Sequence, residues 1–354
     1  MSRRLDRKRS VLVQRLSIAA ASLWIILILF SVFNAGGRST SPRTGNPVLS
    51  NFSTIKGDIS RIKVTEQDLA YNLVKRDGVW LMEESGAYPV REDRLNTLLE
   101  GLETLSWGDR RTSNPARLSL LALGDPREEG NGTLIELFSG DGARVAEVIT
   151  GRRNEHTYAR KPEETIAFRV RGDLPPLRTR EAWLDLDIMS VEPSAVSAVR
   201  LTDRAGNSVY LSRPPGSGAR SFRPAPPYQE FEVTNPLAVS ATALAITRLA
   251  PIDVKSAEAL GGRAVSRHIS ETFDGLEIDL RAWREPDGYW VTLRAIEAGE
   301  GARRARTINE RAEPYAFKLT EYDWREFTPA VRELVIRPAP ENPSAPLPPA
   351  DFQP

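Results

Sequence analysis

The chain has 354 residues, 48 lysines and arginines against 47 acids, a formal net charge of +1, no cysteine and two histidines. That length exceeds one ordinary domain and suits about two, and the lack of cysteine excludes a disulfide framework, thiol catalysis and cysteine-bound metal. Residues 1–15 carry six bases (Arg3, Arg4, Arg7, Lys8, Arg9, Arg15) and one acid (Asp6), so the chain's +1 less this +5 leaves −4 on the rest, which argues against a nucleic-acid-binding surface there.

The basic N-terminus (1–15) is followed by eighteen residues without a charge, Leu16 to Phe33. A helix of that length covers roughly 27 Å, about the hydrocarbon core of a bilayer. Six bases before the segment, against Arg38 and Arg43 soon after it, orient the N-terminus to the cytoplasm. A cleaved signal peptide would have a shorter apolar region, and cutting after Ala35 would put bulky Phe33 where a small residue belongs. The expectation is an uncleaved single-pass anchor with the body on the far side. Arginine greatly outnumbers lysine, the composition of a GC-rich bacterial gene, so the location implied is the inner membrane with a periplasmic body.

Small, polar and proline-bearing residues over 34–50 predict a flexible linker, and the proline-rich stretch 337–354 a disordered tail. Between them a repeat is visible. Ile59-Ser-Arg-Ile-Lys-Val64 resembles Val196-Ser-Ala-Val-Arg-Leu201, each read as a strand leading into another, near Tyr71–Val74 and Val209–Ser212. A turn, an aromatic (Trp80 or Phe222) and a proline-containing loop then precede a helix in each copy. In the first, Leu95, Leu98, Leu99, Leu102 and Leu105 form one apolar stripe. The second opens on Asn235 as N-cap with Pro236 in the first turn, and Val239, Ala243, Ile246 and Leu249 fall under the leucines. Hairpins follow around Asp141-Gly142 and Asp287-Gly288. Segments 300–312 and 320–335 read as helical. The expected fold class is α+β: one transmembrane helix, then two tandem repeated units of antiparallel sheet plus packed helix, 51–187 and 188–336, meeting near Ala182–Ser194.

Candidate chemistry is sparse. His156 and His268 lie in polar stretches far apart, without HExxH or a cysteine cluster, and are expected to be exposed loop residues. Asp185 and Asp187 form a short DxD whose expected role is at the junction or in helix capping. Neither a P-loop nor a Gly-x-Ser-x-Gly elbow occurs. Arg303, Arg304, Arg306 and Arg311 are diluted by Glu300, Glu310 and Glu313, the pattern of a solvated helix face. Most tryptophans sit among apolar neighbours and read as core. Trp283, flanked by Arg281 and Arg284, and Trp183, at the junction of the repeats, are the candidate interaction surface. No catalytic, cofactor-binding or metal-binding residue is expected.

The run Leu73-Val-Lys-Arg-Asp-Gly-Val-Trp-Leu81, Pro89, the leucine helix, Leu123-Gly-Asp-Pro126, and later Glu271-Thr-Phe-Asp-Gly-Leu276 with Tyr289-Trp290 resemble the DUF4340 family, in its alphaproteobacterial form. The second copy departs from the pattern, with Gly-Ala-Arg-Ser-Phe222 in place of Gly-x-Trp. The family is a domain of unknown function with no established catalytic residues. The resemblance implies one N-terminal span and an association with ABC-2-type, gliding-motility-like exporters. The functional expectation is therefore a membrane-anchored extracytoplasmic accessory protein that works by binding exporter subunits. The alternatives are an envelope hydrolase or glycan-acting enzyme using paired carboxylates, and a periplasmic glycan- or lipid-binding protein.

Overall fold

The structure, a computed structural model, describes residues 43–296 and 302–338. The predicted span at 16–33, the basic terminus before it and nearly all of the tail lie outside the described residues. Among the described residues no helix is long and apolar enough to cross a membrane. The fold is mixed α and β, with antiparallel sheets and several helices.

The linker expectation fails from Arg43 onward. Arg43 pairs with both carboxylate oxygens of Glu164 at 2.6 and 2.9 Å. Gly45 and Val48 donate backbone N–H groups to Trp107 and Leu105. Val48 and Leu49 are buried, because two adjacent apolar residues reach the core once the backbone is paired.

After a short helix α1 (Phe52–Ile55), the first half runs β1 (Ile59–Thr65), β2 (Ala70–Arg76), β3 (Val79–Met82), β4 (Tyr88–Pro89), α2 (Glu92–Thr104), β5 (Ser106–Thr112), β6 (Thr133–Ser139), β7 (Arg144–Arg153), β8 (His156–Arg160) and β9 (Ala167–Arg171). The sheet order is β4-β3-β2-β1-β6-β7-β8-β9-β5. Helix α2 follows its leucine period: Leu95, Leu98 and Leu102 are buried, Leu99 is half-buried, and Glu92 and Asp93 favour the positive end of the helix dipole. Leu105, also buried, turns the backbone to extended geometry and leads into β5. The other face of the sheet is covered by the loop 113–132 over a small cluster of Leu118, Leu123, Leu134, Ile149, Tyr158 and Ala167.

The second half runs β10 (Val196–Thr202), β11 (Ser208–Ser212), β12 (Arg223–Pro224), β13 (Glu232–Val233), α3 (Pro236–Ala243), β14 (Asp253–Ser256), β15 (Ser266–Thr272), β16 (Glu277–Glu285), β17 (Gly288–Ile296), α4 (Ala302–Ala312), β18 (Tyr315–Leu319), α5 (Glu321–Phe327), α6 (Val331–Leu334) and β19 (Val335–Ile336). Asn235 does cap α3, its side chain accepting from Leu237 and Ala238. The expected helix over 320–335 is two short ones. Pro329 lacks an N–H and disfavours helical geometry at Thr328, which leaves the helix at φ −131°.

The second sheet has the order β12-β11-β10-β15-β16-β17-β18-β14. Apart from the edge strand β4, which has no counterpart in it, it repeats the order of the first sheet, β10–β12 standing for β1–β3, β15–β18 for β6–β9 and β14 for β5. The closing hydrogen bonds match too. In the first half Val90 bridges Leu184 and Arg91 N–H donates to Trp183 O. In the second, β13 pairs with β19 and Thr234 N–H donates to Leu334 O.

One buried apolar cluster runs through both halves. At their contact, Tyr88 packs edge-on against Tyr315 and Phe317, and its hydroxyl donates to Asp185 O. Arg180 pairs with Asp253 across the contact, and the burial of Asp253 pushes its carboxyl above the usual range, the dominant effect. Gly86 has no room for a side chain there, since a Cβ would sit 2.4 Å from Ser256 N.

Candidate functional site

A cleft of about 410 Å³ opens in the first half where the two layers covering the sheet approach each other at one end of its strands. That volume falls in the range of about 300–1,000 Å³ usual for ligand sites. The strand ends supply its floor: Glu66 just after β1, Thr133 opening β6, Thr150 to Arg153 closing β7, and Thr157 in β8. Ala122 and Asn131 form one wall, and Leu174-Pro-Pro-Leu-Arg178 the other.

Glu66 is the buried acid of the cleft. Thr133 Oγ1 donates to its Oε1 at 2.7 Å, and Arg178 Nε stands 3.2 Å from its Oε2. Arg178 also donates to the Asn131 carbonyl, joining the two walls. Arg152 and Arg153 line the cleft as exposed side chains and make no ion pair with another described residue. The cleft thus holds one carboxylate, paired with Arg178, and two further arginines on its lining, and it favours an anionic or acidic ligand.

The loop wall is fixed by backbone packing. Gly151 lies against the Ala122 carbonyl, and Ala122 adopts a left-handed φ of 54°. Leu123 is buried, Asp125 caps the turn Pro126–Glu128 and pairs with Arg127. Buried Arg160 donates to the carbonyls of Leu123, Lys161, Pro162 and Glu164. These four carbonyls engage Nε and Nη1 of the guanidinium, and burial lowers its pKa.

Several expected site residues lie elsewhere. Trp183 is fully buried, its Nε1 donating to the Tyr71 hydroxyl at 2.9 Å, so it forms no interaction surface. Asp185 and Asp187, close by in sequence, are exposed while the indole enters the shared core. Trp283 is half-buried on β16, opposite Trp290 and beside exposed Arg281 and Arg284. Asp185 and Asp187 are exposed in the junction, and Asp185 pairs with Arg311 of α4. Arg304 pairs with Asp274, while Ala305, Ile308 and Ala312 of the same helix face the core. A second cavity, of about 360 Å³, is lined by Asp109, Glu155, His156, Arg169, Arg171 and Asp173 among others.

Neither histidine lies in a loop. His156 opens β8, half-buried, and His268 is fully buried in β15. The Thr242 carbonyl, 2.9 Å from Nε2, can only accept, so the neutral ring carries its proton there. Its edge packs on Phe327, and burial lowers its pKa to about 4. Unfolded His, with a pKa of about 6.5, binds its proton first as pH falls. His268 therefore contributes full stability above about pH 6.5, and loses up to about 3 kcal/mol of it by pH 4. Urea unfolding of the chain and of His268→Gln at pH 7 and pH 4.5 should show a steeper loss for the parent; parallel losses would contradict the buried neutral ring.

The family described as Domain of unknown function (DUF4340) matches residues 80–260, just over half of the chain. The chain belongs to the DUF4340 family. The DUF4340 match runs from Trp80 in β3 to just beyond β14, across both halves, and includes every residue named above as lining the cleft except Glu66. No curated protein and no solved structure matches the chain. The Leu123-Gly-Asp-Pro126 run builds the loop wall of this DUF4340 cleft. Sequence patterning did not find Glu66, Thr133 or Arg178, which come from three separate segments and meet only at the strand ends.

Proposed function

We propose that this chain is a membrane-anchored extracytoplasmic accessory protein that works by binding a partner, with ABC-type exporter subunits as that partner. The cleft in the first half carries the reading. Its acid is engaged by Thr133 and Arg178, and Arg152 and Arg153 remain exposed beside it, an arrangement suited to holding a charged segment. The charge-free run 16–33 and the bases before it support single-pass anchoring, N-terminus in the cytoplasm and body in the periplasm. The shared strand order of the two sheets supports descent of 51–187 and 188–336 from one duplicated unit.

The second cavity supports a different reading, a glycan-acting enzyme using paired carboxylates, because Asp109, Glu155 and Asp173 line it together. Affinity purification of the full-length protein in mild detergent separates the two. Co-purification of exporter membrane subunits is the expected result. Absence of any membrane partner, with turnover of a glycan or peptide that Asp109→Asn and Asp173→Asn abolish, would replace the accessory reading with the enzyme.

A further inference from the structure

The second half contains a place corresponding to the cleft, and there the chain fills it with its own backbone. Asp203 follows β10 as Glu66 follows β1, and Ser266 opens β15 as Thr133 opens β6. Asp203 accepts the backbone N–H of Val331 at 3.0 Å, and the Ser266 hydroxyl lies 3.0 Å from the carbonyl of Thr202 and 3.3 Å from that of Phe327, both of which accept from it. Phe327 is buried there against His268.

The filling segment leaves β18 at Thr320 and reaches Leu334, whose carbonyl closes the half. Its counterpart in the first half leaves β9 at Gly172 and reaches Trp183, whose carbonyl makes the matching bond. The counterpart is shorter, and its Pro175-Pro176 stretch holds no helix, so among the described residues nothing equivalent to α5 lies over the strand ends. Glu66 meets the exposed Arg178 side chain instead of a backbone N–H. The cleft is the space that a longer segment occupies in the other half.

We propose that the cleft docks an acidic peptide segment of a partner protein. Its backbone N–H groups reach Glu66, as Val331 reaches Asp203, and its carboxylates meet Arg152, Arg153 and Arg178. The filling segment itself has this chemistry, with Glu321, Asp323, Glu326 and Glu333 against Arg325 and Arg332. This inference deepens the binding reading above and rests on it.

The test uses the full chain in mild detergent and a fluorescein-labelled peptide with the sequence of residues 320–335, followed by anisotropy. A second peptide carries amides in place of its four acids. Binding of the acidic peptide is expected, weakened about tenfold or more by the pair Arg152→Gln and Arg153→Gln, by the amide replacements and by raised salt. The exposed pair Arg303→Gln and Arg306→Gln, on α4, should leave it unchanged. No binding, equal binding of the amide peptide, or binding indifferent to the cleft pair overturns the proposal. Purifying the Arg152→Gln, Arg153→Gln form beside the parent keeps the two claims apart. Exporter subunits retained equally by both forms would leave the accessory reading standing and remove the cleft from it.

Discussion

Replacing Leu98 by aspartate is expected to unfold the first half. Leu98 is fully buried at the centre of the α2 stripe, between Leu95 and Leu102. Truncation to alanine at such a site costs about 2–5 kcal/mol, and a carboxylate adds the penalty of a buried charge without a partner. Against a total stability of about 5–15 kcal/mol, that leaves little folded protein. The buried cluster beneath α2 continues into the second half, so the loss should spread beyond one unit. Leu102→Asp, equally buried, should behave alike. Glu100 is exposed on the same helix, and Glu100→Ala should stay within about 0.5 kcal/mol. Urea unfolding followed by tryptophan fluorescence measures all three, and equal tolerance at 98 and 100 would mean that α2 does not pack on the sheet.

Gly151→Val should detach the loop 113–132. A Cβ at Gly151 would lie 2.0 Å from the Ala122 carbonyl oxygen and 2.6 Å from that of Leu121. Both obstacles are backbone, so no rotamer change relieves them. The loop has little freedom to retreat, because Leu123 is buried behind it and Gly130 is pressed against Gly124. Overpacking of this kind costs about 1–3 kcal/mol, and withdrawal of the loop also takes the Leu123 carbonyl from buried Arg160. A loss of about 3 kcal/mol is expected, with new proteolytic cleavage within 113–132 and loss of peptide binding at the cleft. Gly140→Ala is the control, because a Cβ there meets nothing within 4 Å. An unchanged melting temperature and protease pattern in Gly151→Val would contradict the packing described.

The leucine stripe of α2, the Asn235-Pro236 start of α3 and the two Asp-Gly hairpins were legible because each rests on residues a few positions apart. Helical period, capping chemistry and turn propensity all act at that range. Strand β14 was not legible: it is four residues long and becomes a strand by pairing with β18, some sixty residues on. The fates of His268 and Trp183 lay beyond local pattern for the same reason. Ser266, His268, Ser270 and Thr272 alternate along β15 like a solvent-facing row, yet all four are buried, and Phe327 packs over the His268 ring. Trp183 has exposed Asp185 and Asp187 close by in sequence, and Tyr71, more than a hundred residues earlier, takes its indole N–H into the core.

By itself the sequence determined the family, the antiparallel α and β character and the amphipathic pattern of the first helix, since these are written in short-range order. Only the tertiary structure decided that a polar cleft exists, and in which half. Glu66, Thr133, Gly151 to Arg153 and Leu174 to Arg178 meet at the strand ends because β1, β6 and β7 are neighbours in the sheet. Whether that meeting point stays open depends on a segment that follows β9 or β18 and either spans the strand ends as a helix or passes them in an extended proline stretch. Sheet register and the path of a connecting segment arise from contacts distant along the chain, and local residue preferences do not encode them.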